Sequence, residues 1–131
     1  MDRFLRPVCL QDAPAWLAAR LTGFEHLSPA DVQATLTAFT AQACTRDVLA
    51  HAPGACELIV CGGGALNLAL MQRLQQGLPA VAVLSSDVRG LPPLQVEAAA
   101  FAWLAHQCIT RQTASLPSVT GARGARVLGA I

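Results

Sequence analysis

Three consecutive glycines carry the clearest chemical signal in this sequence. Gly62, Gly63 and Gly64 follow an apolar run at 58–61 and precede a segment of helical periodicity that starts at Asn67. Glycines between a strand and a helix let the backbone approach a ligand, adopt positive φ and direct amide groups at negative charge. A nucleotide is the obvious ligand. The spacing matches neither Gly-x-Gly-x-x-Gly nor a phosphate loop, so a turn in which glycine only permits close packing is an equal alternative.

Two carboxylates follow a second apolar run at 81–85. Asp87 lies in the loop after this run, and Glu97 lies in the first turn of the helix predicted next. Asp87 either holds a metal or a hydroxyl group, or simply favours a turn. Glu97 is stabilised by the helix dipole whatever its function, so the sequence alone slightly favours a structural role.

The other polar candidates form no evident catalytic set, although such sets assemble in space rather than in sequence. Arg123 and Arg126 lie between glycines and either meet a phosphate or are solvated. The histidines have no partner at a useful spacing and are expected in surface or capping roles: His26, His51 and His106. The cysteines form no metal-type spacing and are expected to be reduced, mostly buried thiols: Cys9, Cys44, Cys56, Cys61 and Cys108.

The composition indicates a small domain whose surface is partly covered. Of 131 residues, 53% are hydrophobic and only 13% are charged, against roughly 25% charged in a typical soluble domain. The net charge of +1, the absence of a basic run and an aromatic content of 5% argue against nucleic-acid binding. No apolar run reaches the roughly 20 residues of a membrane span, and no signal peptide is evident, so we expect a cytoplasmic protein without a membrane anchor.

Periodicity and capping residues predict alternating helices and strands. Helices are expected at 12–21, capped by Asp12, and at 28–51, capped by Ser28. A strand at 58–60, a helix at 67–78 and a strand at 81–85 follow, and this order predicts a parallel pair with a right-handed crossover. A further helix is expected at 94–111 and could pack closely on the sheet. The tail from 116 should be a loop, with a short strand or an unanchored end at 127–131.

Three finer expectations concern which side chains face the core. The helix at 28–51 should present one apolar stripe: Val32, Leu36, Phe39 and Ala43. Its threonines should face solvent or bond back to the helix: Thr35, Thr37, Thr40 and Thr45. The first and third helices should turn these residues inward: Trp16, Leu17 and Leu21, then Leu70, Met71, Leu74 and Leu78.

The predicted sheet is too small to stand alone. Two or three parallel strands leave edges that are open to other chains. The low charge content points the same way, so we expect a piece of a larger structure or an obligate oligomer. Because the carboxyl ends of both strands open on one edge, a ligand is expected at that edge.

Four segments together resemble the C-terminal part of the anhydro-N-acetylmuramic acid kinases. They lie at 31–41, at 62–67 (Gly-Gly-Gly-Ala-Leu-Asn), at 97–105 and at 116–122 (Leu-Pro-Ser-Val-Thr-Gly-Ala), and their order and spacing agree with the family from about Trp16 onward. The resemblance implies an α/β fold: part of a ribonuclease-H-like lobe of the actin and hexokinase type, with a small, mainly parallel sheet packed with helices. Residues 1–131 are expected to form a single domain, the C-terminal part of the second lobe.

The resemblance also implies an activity and a set of site residues. The family uses ATP and Mg²⁺ to open the 1,6-anhydro ring of anhydro-N-acetylmuramic acid and to phosphorylate the sugar 6-oxygen, within peptidoglycan recycling. Gly62, Gly63, Gly64 and Asn67 match the second lobe's part of the nucleotide site, and Glu97 matches a glutamate that faces the sugar.

The departures from the family are equally specific. The first lobe, with its phosphate segments and its catalytic aspartate, has no counterpart here, so we expect negligible kinase activity from the isolated chain. A missing first lobe or a second copy is the expected partner. Leu66 stands where Arg is common, Ser115 where Asn is usual, and 93–95 replaces a more polar segment. These changes favour one alternative, a non-catalytic remnant or interaction module. A second alternative, a small nucleotide-binding αβα protein, explains the glycines but not the other three segments.

Overall fold

The computed structural model describes residues 13–129. The chain divides into two compact units between Leu36 and Thr37, within one helix. Helix α1 spans Ala13–Leu21 and helix α2 spans Pro29–His51. The predicted cap Asp12 lies outside the described residues. Within 13–129, no helix is both long enough and apolar enough to cross a bilayer.

The first unit contains the predicted capping box. The amide of Asp31 donates to Ser28 Oγ at 3.1 Å, and Ser28 Oγ donates to Asp31 Oδ2 at 2.7 Å. These bonds explain why α2 begins at Pro29. Between α1 and α2, the Gly23 amide donates to Glu25 Oε1 at 2.9 Å, and this bond lowers the pKa of the Glu25 carboxyl.

The prediction for α1 is correct in its bounds but wrong for one side chain. Leu17 and Leu21 are half-buried, as expected. Trp16 is exposed instead, and the Arg20 guanidinium lies over its ring at 5.4 Å from the centroid. Because the face of an indole ring attracts a positive charge, the Trp16 side chain has a packing partner in Arg20 although it is exposed.

The second unit is built on a two-stranded parallel sheet. Strand β1, Glu57–Val60, pairs with strand β2, Ala82–Ser85, in the register Glu57↔Ala82 to Val60↔Ser85. Helix α3, Leu68–Gly77, connects them. The predicted strand–helix–strand order and the parallel pairing are confirmed, and the molecule is an α/β protein.

The core of the second unit lies between α3, β2 and α2. Leu74 in α3 and Leu78 directly after it are 3% and 0% exposed, which confirms that these two residues face inward. Ala41, Ala65 and Val81 complete the set of buried apolar residues in the described part of the chain. The Gln75 side chain ties α3 to β2, since its amide group donates to the Leu78 and Val81 carbonyls and its oxygen accepts from the Val83 amide.

The buried face of α2 differs from the predicted stripe. Phe39 is 69% exposed and Ala43 is exposed, whereas Thr37 and Ala41 are buried. The reason is a close helix contact: a Cβ on Gly77 would lie 2.6 Å from Thr45 Cγ2. Small side chains permit such a close approach. Helix α2 therefore buries the face that carries threonine and alanine, and the face that carries Phe39 is exposed. The burial of Thr37 is therefore a correction, whereas Thr35 and Thr45 bond back to helix carbonyls as expected.

Helix α4 spans Val96–Ile109 and follows the 3₁₀ turn Pro93–Gln95. It lies within the predicted range 94–111, but no residue of α4 is buried, so the close packing expected against the sheet is not seen. The tail contains a short helix α5, Pro117–Thr120, where a loop was expected. Pro117 at its first position and Gly121 with φ 70° at its end explain this turn. Residues 127–129 form no strand.

Candidate functional site

The glycine segment turns the chain sharply as it leaves β1. Gly62 has φ 70° and ψ −166°, a conformation that is essentially restricted to glycine. The 3₁₀ turn Gly63–Leu66 follows directly. Its geometry leaves the amide groups of Gly63 and Gly64 without an acceptor inside the turn. The predicted sequence of strand, tight loop and helix is confirmed, and so is the positive φ at the first glycine.

The space beside the glycines is open. A Cβ added at Gly62 or Gly63 would meet no atom within 4 Å, whereas a Cβ at Gly64 would lie 3.3 Å from Leu70 Cδ2. Gly64 therefore serves packing against α3, and Gly63 presents bare backbone to solvent. At Gly63 no side chain prevents a ligand from approaching the main chain closely.

Asn67 positions the helix that follows the turn. Its side-chain Oδ1 accepts from the Leu70 amide at 3.1 Å and caps α3, and its own amide donates to the Gly64 carbonyl at 3.1 Å. This one residue, through its side chain and its backbone amide, thus joins the end of the turn to the start of the helix. The cap leaves the Nδ2 group of Asn67 available as a donor.

The loop after β2 is attached to the glycine turn. The Gly62 amide donates to the Pro93 carbonyl at 2.9 Å, which fixes the turn beside the segment that begins α4. The loop itself is closed by Ser86, which is buried and donates to the Leu91 carbonyl at 2.8 Å. The two carboxyl-end loops therefore form one connected edge, as parallel strands require.

The acidic candidates lie on this same edge. Glu97 is exposed in the first turn of α4, four residues after the carbonyl that holds Gly62. Asp87 is exposed in the 3₁₀ turn Ser86–Arg89, where its carbonyl accepts from the Gly90 amide. This arrangement agrees with the interpretation of Asp87 as a turn residue. Arg89, at the end of this 3₁₀ turn, forms an ion pair with Glu57 on β1.

The remaining candidates belong to other segments of the chain. His26 is in the loop after α1, His51 ends α2, and His106 is on α4. In the tail, the Arg126 amide donates to Ser115 Oγ at 2.8 Å, and the Arg126 side chain donates to the Ala125 carbonyl. Within 13–129, no group of three or more His, Cys, Asp or Glu residues could hold a metal ion.

The prediction of mostly buried cysteines is wrong. Cys44, Cys56 and Cys61 are exposed and Cys108 is half-buried, and all four are free thiols. Cys9 lies outside the described residues. Cysteine packs as a small hydrophobic residue. Residue type alone, without a helical or strand periodicity, was therefore not sufficient to predict which of these side chains are buried.

Sequence reasoning missed three residues that hold the site together. Gln75, Ser86 and Pro93 act through hydrogen bonds to backbone groups outside their own turn or helix. A polar residue on a helix is normally assigned to the solvent face, so nothing distinguished Gln75. Compared with the glycines, two features are weak sequence signals of a site: a serine directly after a strand, and a carbonyl group in a Pro-Pro loop.

These features define an α/β unit with a glycine turn at the carboxyl edge of a parallel strand pair. The family model described as anhydro-N-acetylmuramic acid kinase matches residues 12–131. The chain belongs to that family, as the resemblance of its four segments indicated.

The relatives are longer than this chain. Over 118 residues the chain is 60% identical to an anhydro-N-acetylmuramic acid kinase of Variovorax paradoxus, covering 90% of this chain and 32% of that protein. It is also 60% identical to the kinase of Cupriavidus pinatubonensis over 120 residues, with 90% and 32% covered. The kinase of Burkholderia orbicola is 51% identical over 123 residues, with the same coverage. The chain spans about a third of the length of these relatives.

Proposed function

We propose that this chain forms part of a cytoplasmic anhydro-N-acetylmuramic acid kinase that uses ATP and Mg²⁺. The activity would open the 1,6-anhydro ring, phosphorylate the sugar 6-oxygen and serve peptidoglycan recycling. The family match over residues 12–131 carries this proposal. The chain would supply part of the second, ribonuclease-H-like lobe as a single domain, and the first lobe would supply the catalytic base.

The glycine turn is the proposed nucleotide contact. The amide groups of Gly63 and Gly64 lie at the start of a 3₁₀ turn, and the open space at Gly62 and Gly63 fits the close approach of a phosphate. Gly62 contributes through its conformation, because its own amide is held by Pro93. Asn67 would donate from its free Nδ2 while its oxygen keeps α3 capped.

Glu97 is the proposed contact to the sugar. Its position in the first turn of α4, next to the segment that holds Gly62, places a carboxylate on the edge that carries the turn. A carboxylate accepts hydrogen bonds from sugar hydroxyl or amide groups. The Mg²⁺ would be held chiefly by phosphate oxygens, since magnesium is normally bound through substrate phosphates and one or two carboxylates.

A chimeric kinase tests the nucleotide contact. The matched 118 residues of the Variovorax paradoxus kinase are replaced by the corresponding residues of this chain, and Gly63→Ala is introduced. The added methyl group fits the fold because nothing lies within 4 Å of it, but it stands where the phosphate would approach. We expect the KM for ATP to rise about tenfold, equivalent to about 1.4 kcal/mol of binding, with the KM for the sugar unchanged.

Gly54→Ala is the matched control. A Cβ at Gly54 also meets nothing within 4 Å, but Gly54 lies between α2 and β1, at the opposite end of the strand. Equal ATP KM values for the two variants would contradict the assignment of the turn. An inactive chimera with intact folding would instead favour the non-catalytic module.

A further inference from the structure

Ser86 is a buried serine that makes none of the proposed ligand contacts. It is 5% exposed and is one of the two buried polar residues in the described part of the chain. Its hydroxyl group donates to the Leu91 carbonyl at 2.8 Å, and its own carbonyl accepts from the Leu91 amide at 3.4 Å. A buried hydroxyl group without such a partner is unfavourable. Ser86 therefore holds both backbone groups of Leu91 and closes the loop that follows β2.

Two prolines connect Leu91 to the glycine turn. A proline ring fixes its own φ and restricts the backbone of the residue before it. Pro92 has φ −55° and ψ 138°, close to polyproline II geometry. The carbonyl of Pro93 then accepts from the Gly62 amide at 2.9 Å. Because Pro92 and Pro93 have little conformational freedom, a displacement of Leu91 also displaces the carbonyl that holds Gly62.

The same segment determines where α4 begins. The Gln95 amide donates to the Pro92 carbonyl at 2.9 Å and closes the 3₁₀ turn Pro93–Gln95. Helix α4 starts with the next residue, and Glu97 lies in its first turn. Since α4 buries no residue of its own, this hydrogen-bonded segment attaches the first turn of α4 to the edge of the sheet. The glycine turn and Glu97 therefore both depend on the backbone that Ser86 fixes.

We propose that Ser86 is a positioning residue for both substrates of the proposed kinase. Its hydroxyl group keeps the loop closed, so that the Pro93 carbonyl stays on Gly62 and Glu97 stays on the edge that carries the turn. Ser86 itself touches neither ATP nor the sugar. This inference rests on the proposed function, but the hydrogen-bond connection from Ser86 to Gly62 can be measured without any ligand.

Amide hydrogen exchange measures that connection in this chain alone. Ser86→Ala should raise the exchange rate of the Gly62 amide, followed by NMR, at least about tenfold relative to the Leu78 amide, because Gly62 then opens locally. The Leu78 amide donates to the Leu74 carbonyl in the core and reports global unfolding. Ser85→Ala is the matched control, since Ser85 is the neighbouring half-buried serine and its hydroxyl forms no hydrogen bond within 13–129.

The kinetics of the full-length chimera measure the effect on the two substrates. Loss of the Ser86 hydroxyl should raise the KM for ATP and the KM for the sugar together, each about three- to tenfold. Gly63→Ala, by contrast, should raise the KM for ATP alone. A purely structural role of Ser86 would reduce the amount of active enzyme and hence the apparent kcat, and would leave both KM values unchanged. Ser85→Ala should leave all of these constants unchanged.

A second variant serves if Ser86→Ala does not fold. Pro92 is exposed, so Pro92→Ala removes no buried group and only increases the freedom of the connection. It should raise the relative exchange rate of Gly62 and both KM values about two- to fivefold. Unchanged values would overturn the proposal in the same way as unchanged values for Ser86→Ala.

Three further outcomes overturn the proposal. A lower kcat with unchanged KM values limits Ser86 to stabilising the fold. An increase in only one KM shows that the two contacts do not share a support. Equal effects of Ser85→Ala show that the hydroxyl of Ser86 is not the cause. An active chimera that is insensitive to Ser86→Ala keeps the proposed function and rejects the positioning role, whereas a folded but inactive chimera rejects the proposed function even if the Gly62 amide responds.

Discussion

Helices α3 and α4 each follow one strand of the same sheet, yet they relate to the core in opposite ways. Helix α3 buries Leu74, ends at the buried Leu78, is capped by the Asn67 side chain and is tied to β2 by Gln75. Helix α4 buries no residue and has no side-chain cap at its N-terminus. Helix α3 completes its packing within this chain, whereas helix α4 does not.

This difference distinguishes the proposed nucleotide side of the edge from the proposed sugar side. The glycine turn leads directly into α3, so the proposed nucleotide contact adjoins a helix that is packed within this chain. Glu97 stands on α4, so the proposed sugar contact rests on an element that needs further polypeptide to be packed. We therefore expect the nucleotide side to be preformed in this chain and the sugar side to become ordered only in a complete kinase.

The largest expected effect contrasts the two helices directly. Leu74→Ala should lower the free energy of unfolding by about 2–5 kcal/mol because it opens a cavity in the core. Phe101→Ala should change it by less than about 0.5 kcal/mol because the ring is exposed. Urea unfolding of the isolated chain, followed by circular dichroism, measures both. A similar loss for both variants would show that α4 is packed in solution.

A smaller effect is expected from the tie between α3 and β2. Gln75→Ala removes the partners of two carbonyls and one amide and should cost about 1–3 kcal/mol. Gln76→Ala on the same helix is the matched control, since Gln76 is exposed and should change stability by less than about 0.5 kcal/mol. Equal unfolding midpoints for the two variants would show that the hydrogen bonds of Gln75 do not stabilise the fold.

The smallest effect concerns the helix cap. Asn67→Ala should cost about 1 kcal/mol through the loss of the bond to the Leu70 amide. Asn67→Ser restores a capping oxygen and should recover most of that loss in the same unfolding experiment. In the chimera, however, serine lacks the Nδ2 donor, so the KM for ATP should stay raised. Full recovery of both quantities would limit Asn67 to a structural role.

The sequence was sufficient for the elements whose signals are local. The capping box at Ser28, the periodicity of α3 and the glycine at a positive-φ position each follow from neighbouring residues. The parallel pairing followed from the order of strand, helix and strand. The resemblance of four segments led to the family that the comparisons confirm.

The parts that sequence reasoning missed depend on tertiary contact. In α2, close packing of Thr45 on Gly77 selects a face of small residues and leaves Phe39 exposed. In the site, the bond from Gly62 to Pro93 spans about thirty residues of sequence, and no local pattern encodes it. The roles of Glu97 and of the glycine turn toward ligands stay predictions.

The most direct test of the account is phosphoryl transfer by the full-length chimera. Purified chimera, parent kinase and isolated chain are assayed with ATP, Mg²⁺ and anhydro-N-acetylmuramic acid, and the phosphorylated sugar is quantified. We expect the chimera to form this product at a rate within about tenfold of the parent kinase, whereas the isolated chain forms none. A folded chimera without activity, or an isolated chain with it, would contradict the assignment of this chain to the second lobe.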